Sequence, residues 1–181
     1  MKNDRKLFLY IAMSLDGYIA AQDDDLSFLG MVEKEGEDYG YGEFMATIDT
    51  IIIGRKTYDK IRSMGFPYPP GDQHVYVITR TARPATDKIS YYTGSLITLV
   101  SSLKEAPGEH IFCDGGAEII NELLKNGLID EIIVSIIPIL LGGGVRLFKD
   151  GRPEQKLELR SVSQFESGLT QLHYASHFSA H

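Results

Sequence analysis

Five apolar runs limit what this chain can fold into. They are KLFLYIAMS (6–14), TIIIG (50–54), HVYVIT (74–79), HIFCD (110–114) and IDEIIVSIIPILL (129–141). A run that is apolar at nearly every position leaves no face for water, so as a strand it must be covered on both sides. Between the runs the period changes to that of a helix. DYGYGEFMATI places Tyr41, Phe44, Met45 and Ile48 at i, i+3, i+4 and i+7, although its glycines weaken the first turn. RKTYDKIRSM (55–64) turns helical directly after TIIIG, and LITLVSSLKEA (96–106) holds a short helix. In GAEIINELLKNG (116–127), Ile119, Ile120, Leu123 and Leu124 form one buried stripe, and Gly127 stops the helix. This alternation predicts an α/β fold: a largely parallel, twisted sheet with helices on both faces.

The remaining segments fill in that frame. AQDDDLSFLGMVEKEGE (21–37) reads as a loop, as do GFPYPPGD (65–72) and RTARPATD (80–87). ISYYT (89–93) is a weaker strand. KLELRSVSQFESG and LTQLHYASHF alternate and meet at Ser167-Gly168, which predicts a C-terminal antiparallel hairpin. With no internal repeat or linker, residues 1–181 are expected to form one domain.

Composition excludes several function classes. The N-terminal stretch is basic and then apolar, like a signal peptide. Its apolar part is broken by Ser14 and Asp16 and lacks a small-residue cleavage site, so a buried first strand is expected instead. Cys113 is the sole cysteine, which rules out an intramolecular disulfide and suits a cytoplasmic protein. A formal charge of -7 disfavours nonspecific attraction to nucleic acid or an anionic membrane. An anionic ligand needs local cations to overcome that field.

Such cations sit at predicted strand ends, where open α/β sheets bind ligands. Gly54 ends one strand, Arg55 and Lys56 follow, and Thr57 opens the next helix. A helix N-terminus with unpaired N–H groups and two cations suits a phosphate, although two solvated basic residues would look the same. Thr79 and Arg80 end the HVYVIT strand, with Arg83 close behind. Gly115 and Gly116 lie where HIFCD delivers the chain to a helix, and glycines there let a pyrophosphate reach the backbone. They could equally serve a tight turn. Together the three ends favour a phosphorylated dinucleotide.

IAMSLDGYIA, IIIGRKTYDKI, VYVITR, CDGGAEIINELL and LIDEIIVSIIPILLGGGVRLF resemble, in that order, the dihydrofolate reductase-like superfamily. The match is to the branch that contains the C-terminal reductase domain of the riboflavin-biosynthesis deaminase–reductase. The resemblance implies a three-layer dihydrofolate reductase-like fold, NADPH as cofactor, a small-molecule substrate and a homodimer. It implies an NADPH-dependent reductase of a small heterocycle, similar to 5-amino-6-(5-phosphoribosylamino)uracil reductase. Dihydrofolate reductase and a non-catalytic nucleotide-binding module are the alternatives. By the same resemblance, Ala12 and Ile19 border the nicotinamide, with Asp16 and Gly17 in a mobile loop beside it. Gly54, Arg55, Lys56 and Thr57 meet the cofactor phosphates. Thr79 and Arg80 hold the adenosine 2′-phosphate side, and Gly115, Gly116, Ala117 and Glu118 the pyrophosphate. A cis-like peptide is expected at Gly115-Gly116. With one cysteine and no room ahead of the matched stretch, a zinc deaminase is not expected. The family tryptophan is missing, and Phe28 is the candidate to fill its place.

Reduction of C=N or C=O also needs a proton. Asp38 begins the helix before TIIIG, near the strand ends, and either protonates substrate or caps the helix. Tyr39 and Tyr41 stack on a heterocycle or fill the core. In PILLGGGVRLF (138–148), Arg146 either meets a substrate phosphate or belongs to a structural turn. His173 and His177 share a predicted strand, about 13 Å apart at strand spacing, so no metal site is expected.

Overall fold

The computed structural model describes residues 4–177. The chain begins with β1 (Leu7–Ser14), the short β2 (Tyr18–Ala20) and the short helix α1 (Tyr41–Met45). Next come β3 (Ile48–Gly54), α2 (Arg55–Ser63), β4 (His74–Ile78) and β5 (Ile89–Tyr92). Then follow α3 (Leu96–Glu105), β6 (His110–Gly115), α4 (Ala117–Lys125) and β7 (Glu131–Ile137). The chain closes with β8 (Val145–Arg146), β9 (Lys156–Gln164) and β10 (Thr170–His177). Eight strands form one sheet in the order β5-β4-β3-β6-β1-β7-β10-β9. The pairings from β5 to β7 are parallel, and β10 runs antiparallel to both its neighbours.

The apolar runs are strands because both of their faces are buried, as parallel ladders with crossover helices require. In β1, Leu7 and Leu9 enter one core with Ile52, Cys113 and the stripes of α3 and α4. Phe8 and Tyr10 face the opposite core, built by Ile51, Ile53 and Val75 with Phe44 and Met45 of α1 and Tyr58 of α2. Helices therefore cover both faces. Fully enclosed side chains such as Leu9, Ile52 and Leu123 each contribute about 1.5–3 kcal/mol by burial.

Several expectations are corrected. The helix expected through Ile48 ends at Met45, and Ile48 opens β3 in register with His110. Gly40 and Gly42 make a poor helix, and the Thr47 hydroxyl turns back to donate to the Phe44 carbonyl. Ile48 still packs with Phe44 and Met45, so the periodicity reported a shared core rather than a continuous helix. The stretch 21–37 is not all loop: it holds 3-10 turns at Gln22–Asp24 and Ser27–Val32. Phe28 and Val32 of the second pack on Ile137 and Leu169. The expected strand through Leu141 stops at Ile137, because Pro138 has no N–H for the ladder. The β2–β8 ribbon was not expected at all. The hairpin turns at Gly168, whose φ of +86° suits a residue without Cβ. Phe178, the last residue of the expected final strand, lies outside the described residues. Among the described residues, no helix is long and apolar enough to cross a membrane.

Candidate functional site

Two strand-to-helix junctions meet at the carboxyl edge of the sheet. Gly54 ends β3 and stands at the N-cap of α2, and Gly116 stands at the N-cap of α4. Neither helix start has a side-chain cap, so backbone N–H groups of both remain for a ligand. A Cβ on Gly116 would lie 2.8 Å from the Thr57 hydroxyl, and one on Gly54 would lie 3.2 Å from Ile119 and 3.5 Å from the Gly116 nitrogen. The two turns touch only because both are bare. The Gly115-Gly116 peptide bond is cis. Ala117 is buried in the first turn of α4 and Glu118 is exposed.

Cations surround this double N-terminus. Arg55 donates to Asp59 Oδ2 at 2.7 Å, and Arg83 lies 3.9 Å from the other oxygen of Asp59. Arg83 also stacks over Tyr91 at 5.4 Å. Gly54 pairs in register with Ile78, so Thr79 and Arg80 emerge beside the start of α2. The Thr79 hydroxyl accepts from the Thr81 nitrogen at 3.2 Å, and Arg80 is exposed, as is Lys56. The structure thus brings the Gly54–Thr57, Thr79–Arg80 and Gly115–Glu118 groups to one edge. Bare glycines, uncapped helix starts and four basic side chains fit the phosphates of a dinucleotide.

Beside this edge, on the α1 face, lies a cavity of about 600 Å³. Tyr10, Ala12, Ser135, Ile137 and Leu169 are among the residues that line it from the sheet, and Tyr39 and Tyr41 from the α1 side. Gln171 holds the floor together: its amide nitrogen donates to Tyr10 at 2.9 Å and to Ser135 Oγ at 3.1 Å. The Tyr39 hydroxyl is bonded to the Ser167 hydroxyl at 2.8 Å and to the Val32 carbonyl, so its polar end ties the 3-10 turn to the hairpin. Tyr41 stands edge-on to Tyr10 at 5.6 Å. Asp38 lines the cavity too, but its carboxylate accepts from the Gly40 and Gly42 nitrogens, both at 2.9 Å. Those N–H bonds, foremost that of Gly42, hold its pKa below the usual carboxylate value. Asp38 is a cap here, and an ionised carboxylate is a poor proton donor.

A carboxyl with a raised pKa was missed in the sequence; it is not among the residues that line the cavity, but its charge acts on Tyr41, which does line it. Asp114 is the penultimate residue of β6, directly before the glycine pair, and the Tyr68 hydroxyl donates to its Oδ2 at 2.6 Å. Burial raises its pKa to about 6, and the Tyr68 bond only partly offsets that. Burial and the nearby Asp114 charge push both Tyr41 and Tyr68 upward as well, so the two phenols stay protonated. The signal in the sequence was the acid in FCDGG, one residue ahead of the bare turn.

The β1–β2 turn is tied down on its far side. The Asp16 carboxylate accepts from Ser14 Oγ at 2.5 Å and from the nitrogens of Leu141 and Gly142 at 3.0 and 2.7 Å. The Ser14 bond leads the causes that lower its pKa to about 2. Gly17 takes a φ of +88° in the same turn. Ile19 of β2 packs towards the α3–α4 core. Gly144 presses against the Ala20 carbonyl, which leaves no space for a Cβ. Arg146, on β8, stacks over Tyr18 at 5.3 Å and is not among the residues that line the cavity. Phe28 is buried in its own small core and does not line the cavity either. His173 bonds to Glu131 at 3.1 Å and His177 to Glu158 at 2.7 Å.

This arrangement has counterparts in known proteins. The family model for the RibD C-terminal domain matches residues 5–171. Protein YwjB of Bacillus subtilis (strain 168) is 38% identical over 172 residues, which is 94% of this chain and 98% of that protein. A crystal structure of a provisionally named riboflavin biosynthesis protein from Shewanella sp. PV-4 matches with a TM-score of 0.87 and 30% identity, covering 96% of this chain and 99% of that one. A diaminohydroxyphosphoribosylaminopyrimidine deaminase/5-amino-6-(5-phosphoribosylamino)uracil reductase from Thermotoga maritima shares the fold, with a TM-score of 0.70 at 14% identity. That match covers 95% of this chain and 56% of the Thermotoga one. Sequence, fold and the glycine-bared strand ends together place the chain in the RibD C-terminal domain family, with its dihydrofolate reductase-like architecture.

Proposed function

We infer that this chain is an NADPH-dependent reductase of a small nitrogen heterocycle, of the reaction type named for the Thermotoga protein. One observation carries the reading. The helix starts at Gly54–Thr57 and Gly116–Ala117 touch, uncapped and without Cβ atoms, with Arg55, Lys56, Arg80 and Arg83 on the same edge. The uncapped N–H groups would hold the pyrophosphate, and the arginines a 2′-phosphate, which favours NADPH over NADH.

A bound NADPH would supply the hydride that reduces the carbon of a C=N or C=O bond, itself being oxidised to NADP⁺. The nitrogen or oxygen must then gain a proton. Asp114 is the residue built to hold one, because its carboxyl is still partly protonated near pH 6. The Tyr68 hydroxyl occupies Oδ2, which leaves Oδ1 to carry the proton. Tyr10, Ser135 and Tyr41 would orient the heterocycle in the adjoining cavity. Burial of Cys113 pushes its thiol up to about 12 and makes it unreactive. A homodimer is part of the same reading.

Thermal shift with NADPH and NADH tests this proposal. At 100 times Kd a ligand stabilises the fold by about 2.7 kcal/mol, a rise of roughly 5–10 °C for a domain of this size. The expected result is a rise with NADPH that exceeds the rise with NADH and shrinks in Arg80→Ala. If neither nucleotide shifts the melting temperature, the reductase reading is wrong.

A further inference from the structure

The substrate cavity carries an excess of negative charge, and that sign is wrong for a phosphate. Its floor is neutral, made by Tyr10, Ala12, Ser135 and Leu169. Its rim is built from Glu33, Glu35, Glu37 and Asp38. Among the described residues that line the cavity Lys34 is the one basic residue, and its ammonium is paired with Glu166. Arg146, for which the sequence left open a substrate phosphate or a structural turn, stacks on Tyr18. Arg55 and Arg83 converge on Asp59, at the edge assigned above to the cofactor.

A dianionic phosphate at this rim would meet four carboxylates against the single ammonium of Lys34, itself paired with Glu166, and salt screens such repulsion only over a length of roughly 8 Å at physiological strength. A neutral or cationic molecule would meet no such barrier. The floor offers uncharged recognition. Ser135 is only 4% exposed, and its oxygen already accepts from Gln171. Its own hydroxyl proton remains for a ring nitrogen or carbonyl of the ligand.

We propose that the substrate of this reductase is an unphosphorylated nitrogen heterocycle, neutral or cationic, and that the acidic rim of residues 33–38 selects against phosphorylated analogues. The proposal rests on the reductase reading, and its test separates the two. Protein is first titrated with NADP⁺. The loaded protein is then titrated calorimetrically with 5-amino-6-(5-phosphoribosylamino)uracil and with its dephosphorylated counterpart, at 50 mM and 500 mM salt. The unphosphorylated member is expected to bind about tenfold or more tightly at low salt, and the gap should close at high salt. In Glu33→Gln/Glu35→Gln the gap should narrow at low salt. Among the described residues these two side chains hold no hydrogen bond or ion pair, so the double change leaves the fold intact. Equal or tighter binding of the phosphorylated member at 50 mM salt overturns the proposal and leaves the reductase reading standing, as does no binding of either member to the loaded protein. Failure of NADP⁺ to bind removes the reductase reading, and this proposal with it.

Discussion

Replacing Asp114 with asparagine is expected to make this protein more stable and less active. The carboxyl pKa rises from 3.8 to about 6 on folding, chiefly through burial. Between those values the folded chain holds a proton that the unfolded chain has released. Wild-type stability therefore falls as pH rises through this window and levels off above it. The displacement amounts to about 3 kcal/mol at pH 8, a cost of ionising the buried carboxyl that asparagine does not incur. Asparagine keeps the shape and an oxygen to accept the Tyr68 hydroxyl, so the bond at 2.6 Å survives. Denaturant unfolding of both proteins from pH 4 to pH 8 measures the difference. It should be near zero below pH 4 and approach about 3 kcal/mol in favour of Asp114→Asn at pH 8, or about 6–12 °C in melting temperature. Turnover should fall by about 100-fold or more, because the amide cannot give up a proton. A variant that is less stable than wild type at pH 8, or a stability difference that does not change with pH, would refute the assigned burial of charge.

Two other perturbations probe the parts around this acid. Gly116→Ala places a Cβ 2.8 Å from the Thr57 hydroxyl, so the melting temperature and NADPH affinity (by about tenfold) should both drop, and adding Thr57→Ala should recover part of the melting temperature but not the affinity. Asp16→Ala removes the acceptor of the Leu141 and Gly142 nitrogens, and amide exchange there should quicken while exchange in β3 stays unchanged. The wild-type tether should be intact at pH 5 and lost as pH falls through about 2, because the Asp16 pKa is depressed.

Much of the edge proposed to hold the cofactor could be read in the chain because its signals are local. Gly54-Arg55-Lys56-Thr57 and Gly115-Gly116-Ala117 are each continuous in sequence, and each lies where an apolar run gives way to a helical stripe. Ile48 shows the limit of such reading. Its spacing fitted a helix, but pairing with β6 captured it for the sheet, because tertiary hydrogen bonds outweigh a weak local preference. Asp38 was placed correctly near the strand ends, yet only the observed bonds to Gly40 and Gly42 decide that it caps rather than donates.

The environment of Asp114 and the assembly of the cavity were out of reach of sequence reasoning, although Ala12, Asp38, Tyr39 and Tyr41, which line the cavity, were named from the sequence. Asp114 meets Tyr68 across 46 positions, and Asp16 meets Leu141 across 125. The sequence by itself determined a doubly covered parallel sheet and the glycine-bared strand ends. Those follow from the period of the apolar residues and from what a missing Cβ permits, both properties of neighbouring residues. Only the tertiary structure decided which carboxyl has its pKa raised and which charges ring the cavity. A pKa depends on the desolvation and partners that folding assembles from distant parts of the chain.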